Sequence, residues 1–362
     1  MQATRARANG HDPETLMRLF IVGLGVVGKG VLELLDARRA ELASHFGVET
    51  RLVGVADSKG VALCEDGLAH AEVLGVKRPG AAGVASLPDG RPLASQDDLP
   101  EVIAHSGADV LIELGPTQMR SPRPATDRLL AAMGAGLHVI GANKAPLSTA
   151  FAALTEAAAV NNVLLRYSAT VGAGTPMLTL ARAAVMGDTL VGFRAILNGT
   201  TNFILSQMRS SGATFDSALA EAQRLGWAEA DPSNDVDGWD TAMKTAIIAC
   251  HAPAIPPGRS ISVHDVRTVG IRGVSARDHA DAEAQGQVIK LVASFDATTL
   301  SARVEPVRVP IGSRLDVPAG GNVLLIDLKH AGELALFGRG AGAHETAAAV
   351  LRDLVDIALS AR

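Results

Sequence analysis

The sequence predicts an α/β protein, a doubly wound parallel sheet followed by an α+β domain, and three observations carry that prediction. A short β-type run, Leu19-Phe20-Ile21-Val22, leads at once into Gly23-Leu24-Gly25-Val26-Val27-Gly28 and then into a helical periodicity. Strand and helix patterns next alternate at spacings that fit βαβ crossovers, the pattern of a parallel sheet. Beyond Gly172 the alternation stops, and longer helices and separate strands take over.

The elements follow in order. Over 30–43, Val31, Leu34, Leu35 and Leu42 share one helical face. A second strand, 51–56, ends at Asp57, and the Gly- and Pro-rich stretch 60–93 reads as an irregular excursion. Val110-Leu111-Ile112-Glu113-Leu114 is a strand, 124–134 a helix stopping at glycine, and His138-Val139-Ile140 a strand before Gly141-Ala142-Asn143-Lys144. An Ala-rich helix (150–160) and a strand (163–167) continue the pattern, and helices are expected over 214–225 and 238–251. Near the end come a strand at 334–337, then Gly338, Gly340 and Gly342, then a helix over 345–359. The expected organisation is a flexible leader (1–17), a dinucleotide-binding domain (18–146), a second domain (147–323) and a segment (324–362) returning to the first domain.

Composition excludes several classes. A net charge of −5 with no basic run offers no footprint for nucleic acid. The two cysteines, Cys64 and Cys250, make neither a disulfide framework nor a Cys-rich zinc site, and they fit a reducing, cytoplasmic compartment. No apolar run reaches the ~18 residues of a membrane helix. The leader mixes Arg5 and Arg7 with Asp12 and Glu14 around no apolar centre, so it reads as a frayed tail and not as a secretory signal.

Gly23, Gly25 and Gly28 form G-x-G-x-x-G between strand and helix, the context of a Rossmann dinucleotide site. The first glycine permits the tight turn, the second lets backbone approach a pyrophosphate, and the third lets helix and strand pack closely. The helix N-terminus offers unpaired N–H groups to phosphate. Asp57 can accept hydrogen bonds from the ribose hydroxyls of NAD, whereas Lys59 can meet the 2′-phosphate of NADP. The balance favours NAD, and Asp57 can equally be a strand-end turn residue. Gly115-Pro116-Thr117 and Ala142-Asn143-Lys144 both follow strands, at the sheet edge where nicotinamide sits. Lys144 there is either a charge directed at substrate or cofactor or a solvated loop lysine.

The stretch from Trp227 to Lys244 holds five carboxylates, Glu229, Asp231, Asp235, Asp237 and Asp240. Either it is a solvated acidic loop with Asp235 or Asp237 as helix N-cap, or it binds an ammonium group. Asp240 and Lys244 stand i, i+4 on an otherwise apolar helix, where a charged pair is costly unless it is paired and used. Lys244 is therefore the candidate acid/base for an alcohol–carbonyl pair, with Asp240 orienting it. The run Thr170-Val171-Gly172-Ala173-Gly174-Thr175-Pro176 cannot be a helix interior. Its carbonyls need partners, which an alkali cation, ordered water or turn bonding can supply.

Together these residues resemble the homoserine dehydrogenase family. The matching blocks are Val22 to Gly28, Ala142-Asn143-Lys144, Ala169 to Pro176, Ile196-Leu197-Asn198-Gly199-Thr200-Thr201-Asn202, Glu229-Ala230-Asp231-Pro232 through Asp240 and Lys244, and Gly338-Arg339-Gly340-Ala341-Gly342. The resemblance spans about 19–359. It implies that Lys244 moves the proton, Lys144 assists, and Glu229, Asp235 and Asp240 hold the substrate, with Gly199, Thr200 and Trp227 beside it. It places the cofactor against Gly23, Gly25, Val26, Val27, Gly28, Asp57, Gly115, Pro116, Ala142, Lys144 and Gly340. A monovalent cation, sodium or potassium, would lie on the backbone carbonyls of Ser168, Val171, Ala173 and Thr175. The implied second domain serves substrate binding and dimerisation in a homodimer, and the implied reaction interconverts aspartate 4-semialdehyde and homoserine on the route to threonine and methionine. Three residues depart from the family's pattern: Ser168 where Glu is frequent, Gly115 where Thr is common, and Trp227 where Tyr is frequent. The chain ends soon after the closing glycines, so no feedback inhibition by threonine through an appended domain is expected.

Overall fold

A strand buried on both faces must pair on both edges, and β1 (Thr15–Val22) does so at the centre of the first sheet. The structure, a computed structural model, describes residues 15–77, 83–119, 121–252, 255, 259–340 and 342–360. With β1, the strands β2 (Val48–Ala56), β3 (Val61–Leu63), β4 (Gly90–Arg91), β5 (Val110–Glu113), β6 (His138–Gly141) and β7 (Leu165–Arg166) form one sheet in the order β4-β3-β2-β1-β5-β6-β7. From β2 through β7 the pairing is parallel, while β3 and β4 extend the edge antiparallel.

Two expectations change here. The first strand starts at Thr15, which pairs with Val48, so the end of the predicted leader belongs to the sheet. Arg18 hid this by interrupting the apolar run; its backbone N–H donates to Asp109 Oδ2 at 2.7 Å. The rest of the leader, 1–14, lies outside the described residues. The stretch 60–93, expected to be irregular, contains β3, β4 and a short helix, His70–Gly75. Strands this short leave too little alternation to recognise.

The helices α1 (Val26–Phe46) and α2 (Lys144–Val160) belong to this layer. The second sheet holds β8 (Leu190–Ile196), β9 (Arg267–Thr268), β10 (Gln287–Asp296), β11 (Ser301–Pro310), β12 (Gly321–Leu328) and β13 (Gly332–Arg339), in the order β13-β12-β8-β10-β11-β9. Against it lie α3 (Gly199–Ser211) and α4 (Trp239–His251), their apolar faces meeting Ile289, Leu291, Ala293 and Phe295 of β10.

The domain limits therefore differ from those expected. Since β7 is a strand of the first sheet, that unit runs past 146. Position 323 falls inside β12, and β12 and β13 both belong to the second sheet, not to the returning segment. Only α5 (Ala343–Ser360) returns, packing Ala347 against Gly30 of α1. Among the described residues no helix is long and apolar enough to cross a membrane.

Candidate active site

The glycine turn is built by close approach. Gly23 has φ +97°, and a Cβ there would lie 2.7 Å from the backbone of Leu114. A Cβ on Gly28 would lie 2.2 Å from Gly23 O, so neither position admits a side chain. Gly25 is the N-cap of α1 with no side-chain cap, and a Cβ on it would meet open space. The first-turn N–H groups thus face a place a phosphate can enter.

Asp57 follows β2 and is buried. Its Oδ1 accepts from the backbone N–H of Lys59 (2.8 Å) and Gly60 (3.1 Å), and its Oδ2 from Lys77 Nζ (2.8 Å) and the Val84 N–H (3.2 Å). These are the bonds of a strand-end turn residue, the alternative to a ribose contact, with a lysine added. Burial alone would raise the carboxyl; Lys77 and the N–H groups outweigh it and hold it below the usual range.

The two loops at the sheet edge are tied together. Asn143 Oδ1 accepts from the Ala145 N–H at 3.1 Å, capping α2, while Nδ2 donates to Pro116 O at 3.1 Å. Under them, Glu113 and Arg128 form a buried pair with bonds of 2.7 and 3.1 Å. Glu113 Oε1 also accepts from the Gly115 N–H at 2.9 Å. A Cβ at 115 would come within 2.5 Å of that oxygen, which accounts for glycine at this position.

A cleft of about 690 Å³ lies between the two sheets. The nucleotide side contributes Val26, Val27, Gly115, Pro116, Ala142 and Lys144; the other side contributes Gly199, Thr200, Trp227, Glu229, Asp235, Asp240 and Lys244; Gly340 closes it. At its floor Asp240 bridges two lysines: Oδ2 lies 2.6 Å from Lys244 Nζ, and Oδ1 lies 3.5 Å from Lys144 Nζ. Lys244, buried on α4, also donates to Leu197 O at 2.7 Å. Asn198 Nδ2 reaches both Asp235 Oδ1 (2.6 Å) and Asp240 Oδ2 (2.9 Å), and Asn198 Oδ1 accepts from the Thr201 N–H to cap α3. Burial would raise Asp240, but the two lysines overcome it and bring the carboxyl down to about 2. For Asp235, burial and the charge of Asp240 win, and its carboxyl is pushed above the ordinary range.

The five acidic residues separate on folding. Asp235 and Asp240 enter the cleft, Glu229 and Asp231 line its exposed rim, where Asp231 accepts from Ser233, and Asp237 turns away to pair with Arg272. Neither Asp235 nor Asp237 caps α4, which removes that alternative: its N-cap is Gly238 at φ +87°, which has no side-chain bond to offer. Trp227 stacks on Phe203 at 5.4 Å and 10°, and Thr200 Oγ1 donates to Trp227 O at 2.8 Å. Sequence reasoning assigned no role to Asn198, Leu197 or Asn143. A buried asparagine between two acids signals itself only once the chain has folded.

Along the second glycine-rich run, Ala173 adopts φ +48°. Ser168 O accepts from the Val171 N–H (3.5 Å) and Thr175 O from the Met177 N–H (2.8 Å). No hydrogen bond from the described residues reaches the carbonyls of the buried Val171 and Ala173. Buried Asp353 of α5 accepts from the Ser168 N–H at 2.8 Å, and burial pushes its carboxyl up to about 6.

A Rossmann sheet facing a lysine–carboxylate cleft defines a nicotinamide-dependent dehydrogenase of a small amino alcohol. Residues 23–168 match the family described as homoserine dehydrogenase, NAD binding domain, and residues 176–355 match homoserine dehydrogenase. The chain is 36% identical over 342 residues to the homoserine dehydrogenase of Methanocaldococcus jannaschii, covering 94% of this chain and 98% of the relative. It is 34% identical over 357 residues to the NAD(+)-dependent homoserine dehydrogenase of Pseudomonas canavaninivorans, covering 96% and 97%. Among solved structures, a homoserine dehydrogenase from Thiobacillus denitrificans matches with TM-score 0.79 at 30% identity, covering 96% of this chain and 74% of that one. A hyperthermophilic archaeal homoserine dehydrogenase in complex with NADPH matches with TM-score 0.80 at 27% identity, covering 96% and 98%. The chain belongs to the homoserine dehydrogenase family. It is an NAD(P)-dependent oxidoreductase that acts on the alcohol of L-homoserine.

Proposed function

We propose that Lys244 is the acid/base of the interconversion of L-homoserine and L-aspartate 4-semialdehyde, a step of threonine and methionine biosynthesis. The observation that carries this is Asp240 held between Lys244 and Lys144 on the cleft floor. Two of the three N–H groups of Lys244 are spent on Asp240 and Leu197 O, which leaves one for a substrate oxygen. As ammonium, Lys244 delivers a proton to the aldehyde oxygen; in the other direction it takes the proton of the alcohol. Lys144 lends charge beside the reacting carbon. Asp235, with Glu229 at the rim, holds the substrate ammonium, while Gly199, Thr200 and Trp227 wall it.

The nicotinamide supplies the hydride chemistry when bound. Gly23, Gly25, Val26, Val27 and Gly28 would hold its phosphates, and Gly115, Pro116, Ala142, Lys144 and Gly340 its nicotinamide half. NAD is favoured over NADP because the Asp57 carboxylate stands at the strand end and neutralises Lys77. The carbonyls of Ser168, Val171, Ala173 and Thr175 suit a sodium or potassium ion, since two of the four are buried without a hydrogen-bond donor among the described residues. The outer face of the second sheet, where the exposed Val307 lies beside Arg194 and Glu333, fits a homodimer contact. Free Cys64 and Cys250 fit a cytoplasmic setting.

One experiment tests the set: absorbance of reduced nicotinamide on adding L-homoserine, with NAD or NADP, in sodium, potassium or choline salts, on protein of known mass by light scattering. The expected result is a dimer that reduces both cofactors, NAD faster, and slows in choline. Absence of reduction with either cofactor would overturn the reading, a faster NADP rate would reverse the cofactor preference, and a monomer would remove the dimer contact.

A further inference from the structure

The segment 316–321, between β11 and β12, backs the substrate side of the cleft. Gly320, at φ +75°, lies so close to Trp227 that a Cβ on it would come within 2.4 Å of the indole Cη2. A Cβ on Gly199 would meet Gly320 O at 3.3 Å. Two residues assigned above to the substrate wall, Gly199 and Trp227, therefore rest on one strap of backbone.

A loop in this position needs something to hold it. Lys290, on β10, is 5% exposed. Its Nζ donates to Val317 O at 2.7 Å and to Asn202 Oδ1 at 2.9 Å, and it lies 3.5 Å from Asp316 Oδ1. Asn202, on α3 and 1% exposed, donates its Nδ2 to Pro318 O (2.6 Å) and Gly321 O (3.2 Å). Burying an ammonium costs several kcal/mol unless its donors are matched. Here three N–H groups meet three acceptors, two of which belong to the strap. An apolar side chain would fill the space at less cost, as Val288 and Val292 do on the same strand. The charge instead holds Val317 O and Asp316 of the strap, and through Asn202 it orients the amide that donates to Pro318 O and Gly321 O.

We propose that Lys290 and Asn202 form a clamp that seats the strap 316–321 and so positions Gly199 and Trp227 for the amino-acid substrate. Neither residue lines the cleft, so both act through the strap as positioning residues and not as catalytic ones. The proposal rests on the substrate lying beside Gly199 and Trp227.

The test is steady-state kinetics of Lys290→Met and Asn202→Asp. Each is also made in a Trp239→Phe background, where Trp227 is the remaining tryptophan and its emission reports the strap. Both variants should raise KM for homoserine about tenfold, keep kcat within about threefold, leave NAD affinity unchanged, and shift Trp227 emission to the red. Loss of folded protein alone would lower kcat at constant KM. Asn202→Asp keeps the acceptor for Lys290 and removes both donations to the strap, so it stands as the test if Lys290→Met does not fold. An unchanged KM and an unshifted emission in a folded variant would overturn the clamp. If Trp227→Ala left the KM of the wild-type enzyme unchanged, the substrate placement would fail, and the emission shift would still report on the clamp alone.

Discussion

Lys244→Ala should lower kcat for homoserine oxidation by about 10²–10⁴-fold, the usual worth of a positioned acid/base, with NAD affinity unchanged. The expected loss follows from how the side chain is held. Its Nζ is fixed by Asp240 at 2.6 Å and Leu197 O at 2.7 Å, so the proton it moves is already placed when substrate arrives. Lys144 sits on the other oxygen of Asp240 at 3.5 Å and cannot occupy the same point. With Lys244 gone, Asp240 keeps Lys144 as counter-ion and the amide of Asn198 as a donor, so the variant should fold. Lys244→Arg is the sharper control. A guanidinium keeps the charge beside Asp240 but does not give up a proton, so it should lose as much turnover as alanine. Lys144→Ala should cost less. If Lys244→Ala keeps most of its kcat, the acid/base lies elsewhere, with Lys144 next.

How much of this site could be read from the sequence depended on how local each feature is. The glycine turn was legible because strand, turn and helix are contiguous and each glycine answers a close approach within them. The pairing of Asp240 with Lys244 was legible because i, i+4 on a helix fixes the geometry and the apolar neighbours of α4 announce its burial. The meeting of Lys144 with Asp240 was not, since it needs two domains to face one another. Asn198 was hidden for the same reason: one bond caps its own helix, and the others reach acids on a different element. Strand membership failed where pairing is non-local. The pattern of β12 and β13 says strand but not which sheet, and β8, which joins β12 to the rest of the sheet, lies far back in the chain. The acidic run left two readings open, a capped solvated loop or an ammonium site; capping is a local question, and α4 starts from a glycine in left-handed backbone.

The largest loss of stability is expected beneath the nicotinamide loop. Arg128→Met should cost about 3–5 kcal/mol in urea unfolding, since it strands Glu113 as a buried, uncompensated charge. Glu113 is fully buried and the Arg128 side chain nearly so. The carboxylate must then stay in the interior without its partner. Arg128 no longer fixes its orientation, so its contact with the Gly115 N–H, now 2.9 Å, weakens. Stability and the loop are therefore linked, and the same variant should raise KM for NAD while leaving Lys244 chemistry intact. Combining Arg128→Met with Glu113→Gln should recover much of the stability, because a neutral amide still accepts from Gly115 and leaves no buried charge. Recovery in the double variant separates an ion-pair effect from simple loss of packing by Arg128. A double variant no more stable than Arg128→Met alone would assign the cost to packing, and a single variant losing less than about 1 kcal/mol would mean that solvent reaches Glu113 when its partner is gone.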